Sequence, residues 1–494
     1  MIILFGLGRK IIPLRLFRAS FAVALVGALV AMAGCGGSSG TGSGGMTAGI
    51  TTVVVMASST ANDQLTGFDG EIQSLTLTNK DGKQVTLISS NVSDDFIHSN
   101  GTVEPLVTVS VPQDTYVSAT ATVGSMEPLC TQLYPDSLDI DQMANAGAVV
   151  NVPSPITVTG KVMGLVLNLD VSKSIAFQGA CPSATDFNTI PQSSSEFDLT
   201  PLSIAAEPTN SSNGMMLGLR GIIQSVGNGG STLTVNALSA FGGTGSLTWT
   251  VNLTSSTNLQ SGSTQLAAGA VIDMDAAVQQ DGSFRATRVA VINAGNSNLS
   301  VEAGPVLTVY SPEQTLFFDG TYEEGYLSPR LGGASSFNYD SAQFQISGQI
   351  DNLADLPFSA TFTAANMVAG QRALLSTVAT SQTGGPNYTP STQITLLPQT
   401  INGTITATSS EGSFTTYTVQ LAPYDLFANL AVQPGQATLL TTPNTVVVYA
   451  DSNTQMLNSG GLSSGSLARF YGLVFDDNGT LRMDCAQMND GVAE

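Results

Sequence analysis

From about residue 49 the chain alternates apolar and polar positions at a period of two, which places one face of each segment in a core and the other in solvent. The stretches Glu71-Ile72-Gln73-Ser74-Leu75-Thr76-Leu77-Thr78 and Gln84-Val85-Thr86-Leu87-Ile88 flank Asn79-Lys80-Asp81-Gly82-Lys83, a pattern that predicts a hairpin around a glycine-containing turn. Alternation continues over 106–111 and 116–123 on either side of Pro112-Gln113-Asp114, and again over 156–162 and 165–171. Strands with one apolar face each bury it most economically against a second sheet. Residues 49–207 are therefore expected to form a β-sandwich of about seven strands.

After a polar linker (208–217) the chain repeats itself. Copy one, 218–294, opens with Arg220-Gly221-Ile222-Ile223, passes Thr257-Asn258-Leu259 and Leu266-Ala267-Ala268-Gly269, and closes around Asp281-Gly282. Copy two, 400–488, shows Asn402-Gly403-Thr404-Ile405, Thr454-Gln455-Met456, Leu462-Ser463-Ser464-Gly465 and Asn478-Gly479 in the same order. Five or six short strands with such turns suit a small closed sheet that leaves little exposed edge. Between the copies, 295–399 is a further β region. There Phe344-Gln345-Ile346-Ser347-Gly348 followed by Met367-Val368-Ala369-Gly370 echoes the repeat's opening and its Leu-x-x-Gly turn, as in a degenerate third barrel. The predicted fold class is all-β and multidomain: an N-terminal β-sandwich followed by two, or with the degenerate copy three, small antiparallel β-barrels shaped like oligonucleotide-binding barrels.

Two resemblances accompany this reading. Residues 167–175, the strand after Phe68 and the Val111-Pro112…Tyr116 turn resemble an uncharacterised sandwich domain found near the N-terminus of many bacterial lipoproteins. The repeat resembles a short barrel domain of unknown function from bacterial surface and periplasmic proteins. Both imply a fold, and neither implies an activity.

The N-terminus has a different pattern. Arg9, Lys10, Arg15 and Arg18 precede an apolar run over 21–30 that ends in Ala31-Met32-Ala33-Gly34-Cys35. The run is shorter than the roughly 18 to 20 residues of a bilayer span and closes on small residues, so 1–34 reads as a signal peptide rather than a short anchor. The last positions resemble the lipobox of bacterial lipoproteins, with Met32 where that family usually carries Leu. The resemblance implies lipid attachment at Cys35 and, with Gly36 after it, a place in the bacterial outer membrane or on the cell surface. Residues 35–48, rich in Gly and Ser, read as a flexible tether.

Composition narrows the function classes. Charged residues make up 10% of the chain, the net charge is −21, and four of the few basic residues lie in the leader. Nucleic acid is therefore not an expected partner, and copy one offers only Arg220, Arg285, Arg288 and the lone Trp249 for a stacking groove. The membrane is an expected partner through the lipid, and a polysaccharide or an envelope protein beyond it. With Cys35 lipidated in an oxidising compartment, Cys130 and Cys181 are expected to pair, leaving Cys485 as a buried apolar residue.

Catalytic chemistry finds little support, and neither a catalytic set nor a cofactor is expected. One histidine, His98, and no CxxC pair argue against zinc or copper. Asp136, Asp139 and Asp141 are a weak calcium candidate without an EF-type loop. Gly461-Leu462-Ser463-Ser464-Gly465 has the letters of a nucleophile elbow but falls on the repeat's turn. Asp273 and Asp275 share a strand face and are expected at a solvated edge. Phe317, Tyr322 and Tyr326, interleaved with acids, are the candidate ligand surface, set against a core hairpin turned at Asp319-Gly320. The expected role is non-enzymatic: binding, adhesion or structure at the envelope. The alternatives are an envelope polysaccharide hydrolase using Asp/Glu carboxylates and an accessory subunit of an envelope complex.

Overall fold

The computed structural model describes residues 49–60, 67–96, 103–130, 138–139, 147–174, 194–204, 215–238, 244–259, 266–293, 299–310, 315–318, 321–324, 335–347, 353–378, 389–421, 427, 440–457 and 462–489. They form a nearly all-β chain with several sheets. Among the described residues no helix is long and apolar enough to cross a membrane.

The N-terminal part contains β1 (Ile50–Ser59), β2 (Gly67–Asn79), β3 (Gln84–Ile88), β4 (Val92–Asp95), β5 (Glu104–Pro112), β6 (Thr115–Cys130), β7 (Leu138–Asp139), β8 (Ala148–Asn151), β9 (Ile156–Thr157), β10 (Val162–Leu169) and β11 (Ser195–Leu202). One sheet runs β5-β1-β10-β11-β8; the other runs β3-β2-β6-β7, with β4 added to β2 and β9 to β6. The first sheet is mixed, since β1 and β10 are parallel, as are β11 and β8. The Asn79 turn forms as its chemistry demands: Asn79 Oδ1 accepts the N–H groups of Asp81 and Lys83, and Gly82 takes φ +77°.

Strand β1 departs from simple alternation because both of its faces are covered. Val53, Val55 and Ala57 enter the sandwich core, while Val54 and Met56 enter the core of the first barrel. A strand covered on both sides reads as a continuous apolar run, and Val53-Val54-Val55-Met56-Ala57 is one.

The first barrel consists of β12 (Met215–Gly227), β13 (Thr232–Leu238), β14 (Thr244–Asn252), β15 (Asn258–Leu259), β16 (Val271–Val278) and β17 (Phe284–Asn293). Its sheet runs β14-β13-β12-β16-β17, and a parallel pairing of β14 with β17 completes the ring; β15 lies parallel along β17. This is the strand order of an oligonucleotide-binding barrel, antiparallel except at its closing pair.

The middle region contains β18 (Leu299–Tyr310), β19 (Thr315–Phe318), β20 (Thr321–Glu324), β21 (Ser335–Asn338), β22 (Gln343–Ile346), β23 (Arg372–Val378) and β24 (Thr389–Leu396). The last part contains β25 (Gln399–Glu411), β26 (Phe414–Leu421), β27 (Thr445–Ala450), β28 (Gln455–Leu457), β29 (Leu467–Asp477) and β30 (Thr480–Asn489). The last sheet repeats the order of the first barrel, with β27 parallel to β30. The middle sheet closes in the same way through β18, β19, β21, β24 and β23, with β21 parallel to β24.

One pair of hydrogen bonds marks the repeat three times. Gly269 N–H donates to Ile223 O and Ile223 N–H to Ala270 O; Gly465 and Ile405 do the same with Ser466, and Gly370 and Val306 with Gln371, all at 2.7–2.9 Å. The three glycines have φ of +87°, +95° and +99°, which a side chain would strain. The opening strand of the middle ring is therefore the one carrying Val306. Phe344-Gln345-Ile346 is instead β22, laid parallel on β24 where the other barrels have β15 and β28. Its alternating pattern fits any strand, and only the glycine turn's hydrogen bonds distinguish the opener.

The hairpin expected around Asp319-Gly320 is also corrected. β19 and β20 lie one after the other along the same strand, β18, so among the described residues they are successive stretches of one path and not paired arms.

Candidate functional site

A close group of ionisable side chains lies on the outer face of the first barrel's sheet, because Ile272, Met274 and Ala276 take the face that enters the barrel core. Asp273 and Asp275, two apart on β16, point to one face. Across the ladders, Arg220 on β12 stands opposite Asp273 and Arg288 on β17 opposite Asp275. The Arg288 guanidinium clasps Asp275 through Nε to Oδ2 at 2.7 Å and Nη2 to Oδ1 at 3.0 Å, and Nη2 also donates to Asp273. Arg220 Nε lies 3.5 Å from Asp273 Oδ2. All four residues are at most 3% exposed, so the solvated edge expected for the two aspartates is wrong. The surrounding sequence, Val271-Ile272-Asp273-Met274-Asp275-Ala276-Ala277-Val278, is buried at every position, and two carboxylates in such a strand need cationic partners. The formal charges cancel.

The last barrel covers this cluster. Tyr471 of β29 packs among Met215, Leu217, Ala277 and Ala486, with its ring end against Gly218. Gly218 N–H donates to Asp275 Oδ1 at 2.8 Å. Burial pushes the Tyr471 phenol well above its usual range, against the opposing pull of Arg220. Burial also works against the charge of Arg288, but Asp275 and Asp273 outweigh it and hold the guanidinium above its ordinary value. The cluster is buried and formally neutral. Its chemistry is that of a fixed joint.

The same positions of the last barrel have different residues. Gly403 faces Ala468 as Gly221 faces Ile272, so Asn402, Arg469 and Tyr471 occupy the places of Arg220, Asp273 and Asp275. Arg469 Nη1 donates to Ser59 O and, at 2.7 Å, to Ser59 Oγ, which ties this barrel to the end of β1. Gln371 Nε2 reaches Val474 O at 2.9 Å, and Gln455 Nε2 reaches Met215 O at 3.2 Å. The last barrel thus holds the sandwich, the first barrel and the middle barrel.

Residues 220–290 match the family model described as Domain of unknown function (DUF5666). The match runs from the first cluster arginine to just past the second, so all four charged residues fall within it. Comparison with curated proteins and with solved structures found no match.

A cleft of about 480 Å³ opens between the sandwich and the first barrel. Among its described lining residues Asp281 is the one carboxylate, and its Oδ1 accepts both the Ser283 N–H at 2.9 Å and the Ser283 hydroxyl at 2.6 Å. These bonds, the hydroxyl's first, hold Asp281 below the usual carboxylate range.

The residues singled out from the sequence are scattered. Cys35, Asp136, Asp141, His98, Cys181 and Tyr326 lie outside the described residues, as do the side chains of Cys130, Asp139, Phe317 and Tyr322. The backbones of Cys130 and Asp139 sit at the β6–β7 pairing, those of Phe317 and Tyr322 on β19 and β20. Among the described residues no three His, Cys, Asp or Glu come together as metal ligands. Ser463 sits in the turn before Gly465, with Oγ 3.2 Å from Ser466 Oγ. Trp249 is 2% exposed with its ring edge-on to Phe284, so it fills the barrel core instead of a stacking surface. Cys485 is buried, and burial pushes its thiol far above the ordinary range.

Proposed function

We propose that this chain is a non-enzymatic protein of the bacterial envelope, held to a membrane by lipid on Cys35 and acting as a binding or adhesive module. The observation that carries the reading is the placement of its ionisable groups. The gathered carboxylates and guanidinia are enclosed and mutually neutralised, whereas the one carboxylate in the open cleft has no second carboxylate beside it among the lining residues. A hydrolase of the two-carboxylate kind needs a facing pair about 5 to 10 Å apart at an accessible site. The leader pattern and the Gly/Ser segment after Cys35 support an exported, tethered protein.

A screen of the full chain in detergent against envelope and extracellular polysaccharides, with product analysis, tests this reading. Saturable association without new reducing ends is expected. Release of shortened sugars would replace it with the hydrolase alternative. Specific co-purification of an envelope protein, with no sugar association, would favour the accessory-subunit alternative.

A further inference from the structure

We propose that the cleft between the sandwich and the first barrel is a binding site for an uncharged, hydroxyl-rich ligand, a short neutral saccharide by class. This rests on the binding role above and gives it a place and a ligand chemistry.

Both units contribute to the walls. The sandwich supplies Ser90 and Thr108, and the barrel supplies Thr248, Thr250, Asp281 and Ser283. Strand periodicity presents the two threonines outward: Trp249 between them turns into the barrel core, so Thr248 and Thr250 are exposed on the opposite face. The site therefore offers five hydroxyls beside one carboxylate that accepts; Thr248 already donates to Asn236 Oδ1 and Ser283 to Asp281 Oδ1, so these two face a ligand as acceptors. Val107, half-buried in the lining, gives the cleft an apolar patch against which C–H faces of a sugar ring can lie.

Charge selects among polar ligands. Among the described lining residues there is no Lys or Arg, and the one charged group is acidic. A phosphate or carboxylate ligand would meet repulsion with no compensating cation. The volume falls within the roughly 300 to 1,000 Å³ usual for small-molecule sites, which favour domain junctions like this one.

The opening is fixed by packing. Gly282, at the tip of the β16–β17 hairpin with φ +82°, sits so close to the sandwich that an added β-carbon would lie 2.7 Å from the methyls of Thr52 and Thr108. Preformed walls lower the ordering cost of binding.

The chain has a single tryptophan, Trp249, in the strand that forms one wall. Its emission is therefore a built-in reporter. Full-length protein in detergent would be titrated with maltotriose, tri-N-acetylchitotriose and trigalacturonate, following Trp emission and equilibrium dialysis. The proposal expects saturable binding of at least one uncharged trisaccharide and at least tenfold weaker binding of trigalacturonate. The Thr248→Val, Thr250→Val double variant should weaken binding tenfold or more while moving the unfolding midpoint little, because both side chains are exposed on a strand that tolerates valine and the one hydrogen bond lost, from Thr248 to Asn236 Oδ1, is at the surface. Absence of saturable binding by either uncharged sugar overturns the site. Trigalacturonate binding as tight as the neutral sugars overturns the ligand class. Binding that survives the double variant undiminished also overturns the site but leaves the wider binding role standing, with its ligand elsewhere on the chain.

Discussion

The ring of Tyr471 occupies the space that Gly218 leaves empty: a β-carbon on Gly218 would fall far inside van der Waals contact distance of the phenol oxygen. Gly218 also has φ +65° and donates its N–H to Asp275, so one position joins the charge cluster to the barrel that covers it. A Gly218→Ala substitution is expected to cost about 1–3 kcal/mol for the positive φ, and more as Tyr471 is displaced from its packing. Gly82→Ala is the control, because Gly82 has φ +77° with nothing near its added β-carbon. Denaturant unfolding of the two variants should show the larger loss at Gly218. Equal losses would mean that the Tyr471 contact contributes nothing.

Arg288→Met removes the cation shared by Asp273 and Asp275 and leaves two carboxylates in a dry core. Breaking such a group from one side costs about 3–5 kcal/mol, whereas replacing all members by apolar residues of similar volume is often close to neutral. The expected order of unfolding midpoints is therefore wild type, then a variant with Arg220, Asp273, Asp275 and Arg288 all made apolar, then Arg288→Met well below both.

The alternation of residues 71–88 made the β2–β3 hairpin legible, because a half-buried strand and a turn closed by Asn79 and Gly82 are both local chemistry. The repeat was legible at Gly269 and Gly465, where a required backbone conformation fixes the residue. The third opener was not, since the pattern around Val306 is interrupted by Pro305 and its identity lies in hydrogen bonds to Gly370 and Gln371, 64 and 65 residues later. Burial of Asp273 and Asp275 was not legible for a similar reason: period two tells which side chains share a face, and only the cross-strand arginines and the covering barrel tell whether that face is wet. The continuous apolar setting of β16 was the available clue.

Stability should fall in alkali. Burial raises the phenols of Tyr471, Tyr339 and Tyr417, so their neutral form is favoured in the folded chain. Their contribution is fully present below the unfolded value near 10 and is lost as pH climbs from there toward the folded values, because the unfolded chain gives up these protons first. Unfolding midpoints measured from pH 8 to 11 should drop above about pH 10. Tyr471→Phe should flatten the drop at little cost near neutrality, since the phenol oxygen has no hydrogen-bond partner among the described residues.

Thiol counting tests the cysteine assignments together. With Cys35 acylated and Cys130 joined to Cys181, a thiol reagent should find no reactive group in the native chain. It should find one in denaturant, Cys485, and three after reduction. Native-state reaction would contradict the burial of Cys485, and three thiols in denaturant before reduction would exclude the disulfide.

Attachment through Cys35 underlies the entire functional account, and incorporation of labelled palmitate by wild-type and Cys35→Ser protein in a bacterial host tests it most directly. The account predicts label in the wild type together with sedimentation in the membrane fraction, and loss of both in the variant. Label that persists in Cys35→Ser, or a wild-type chain that takes up none, would contradict it.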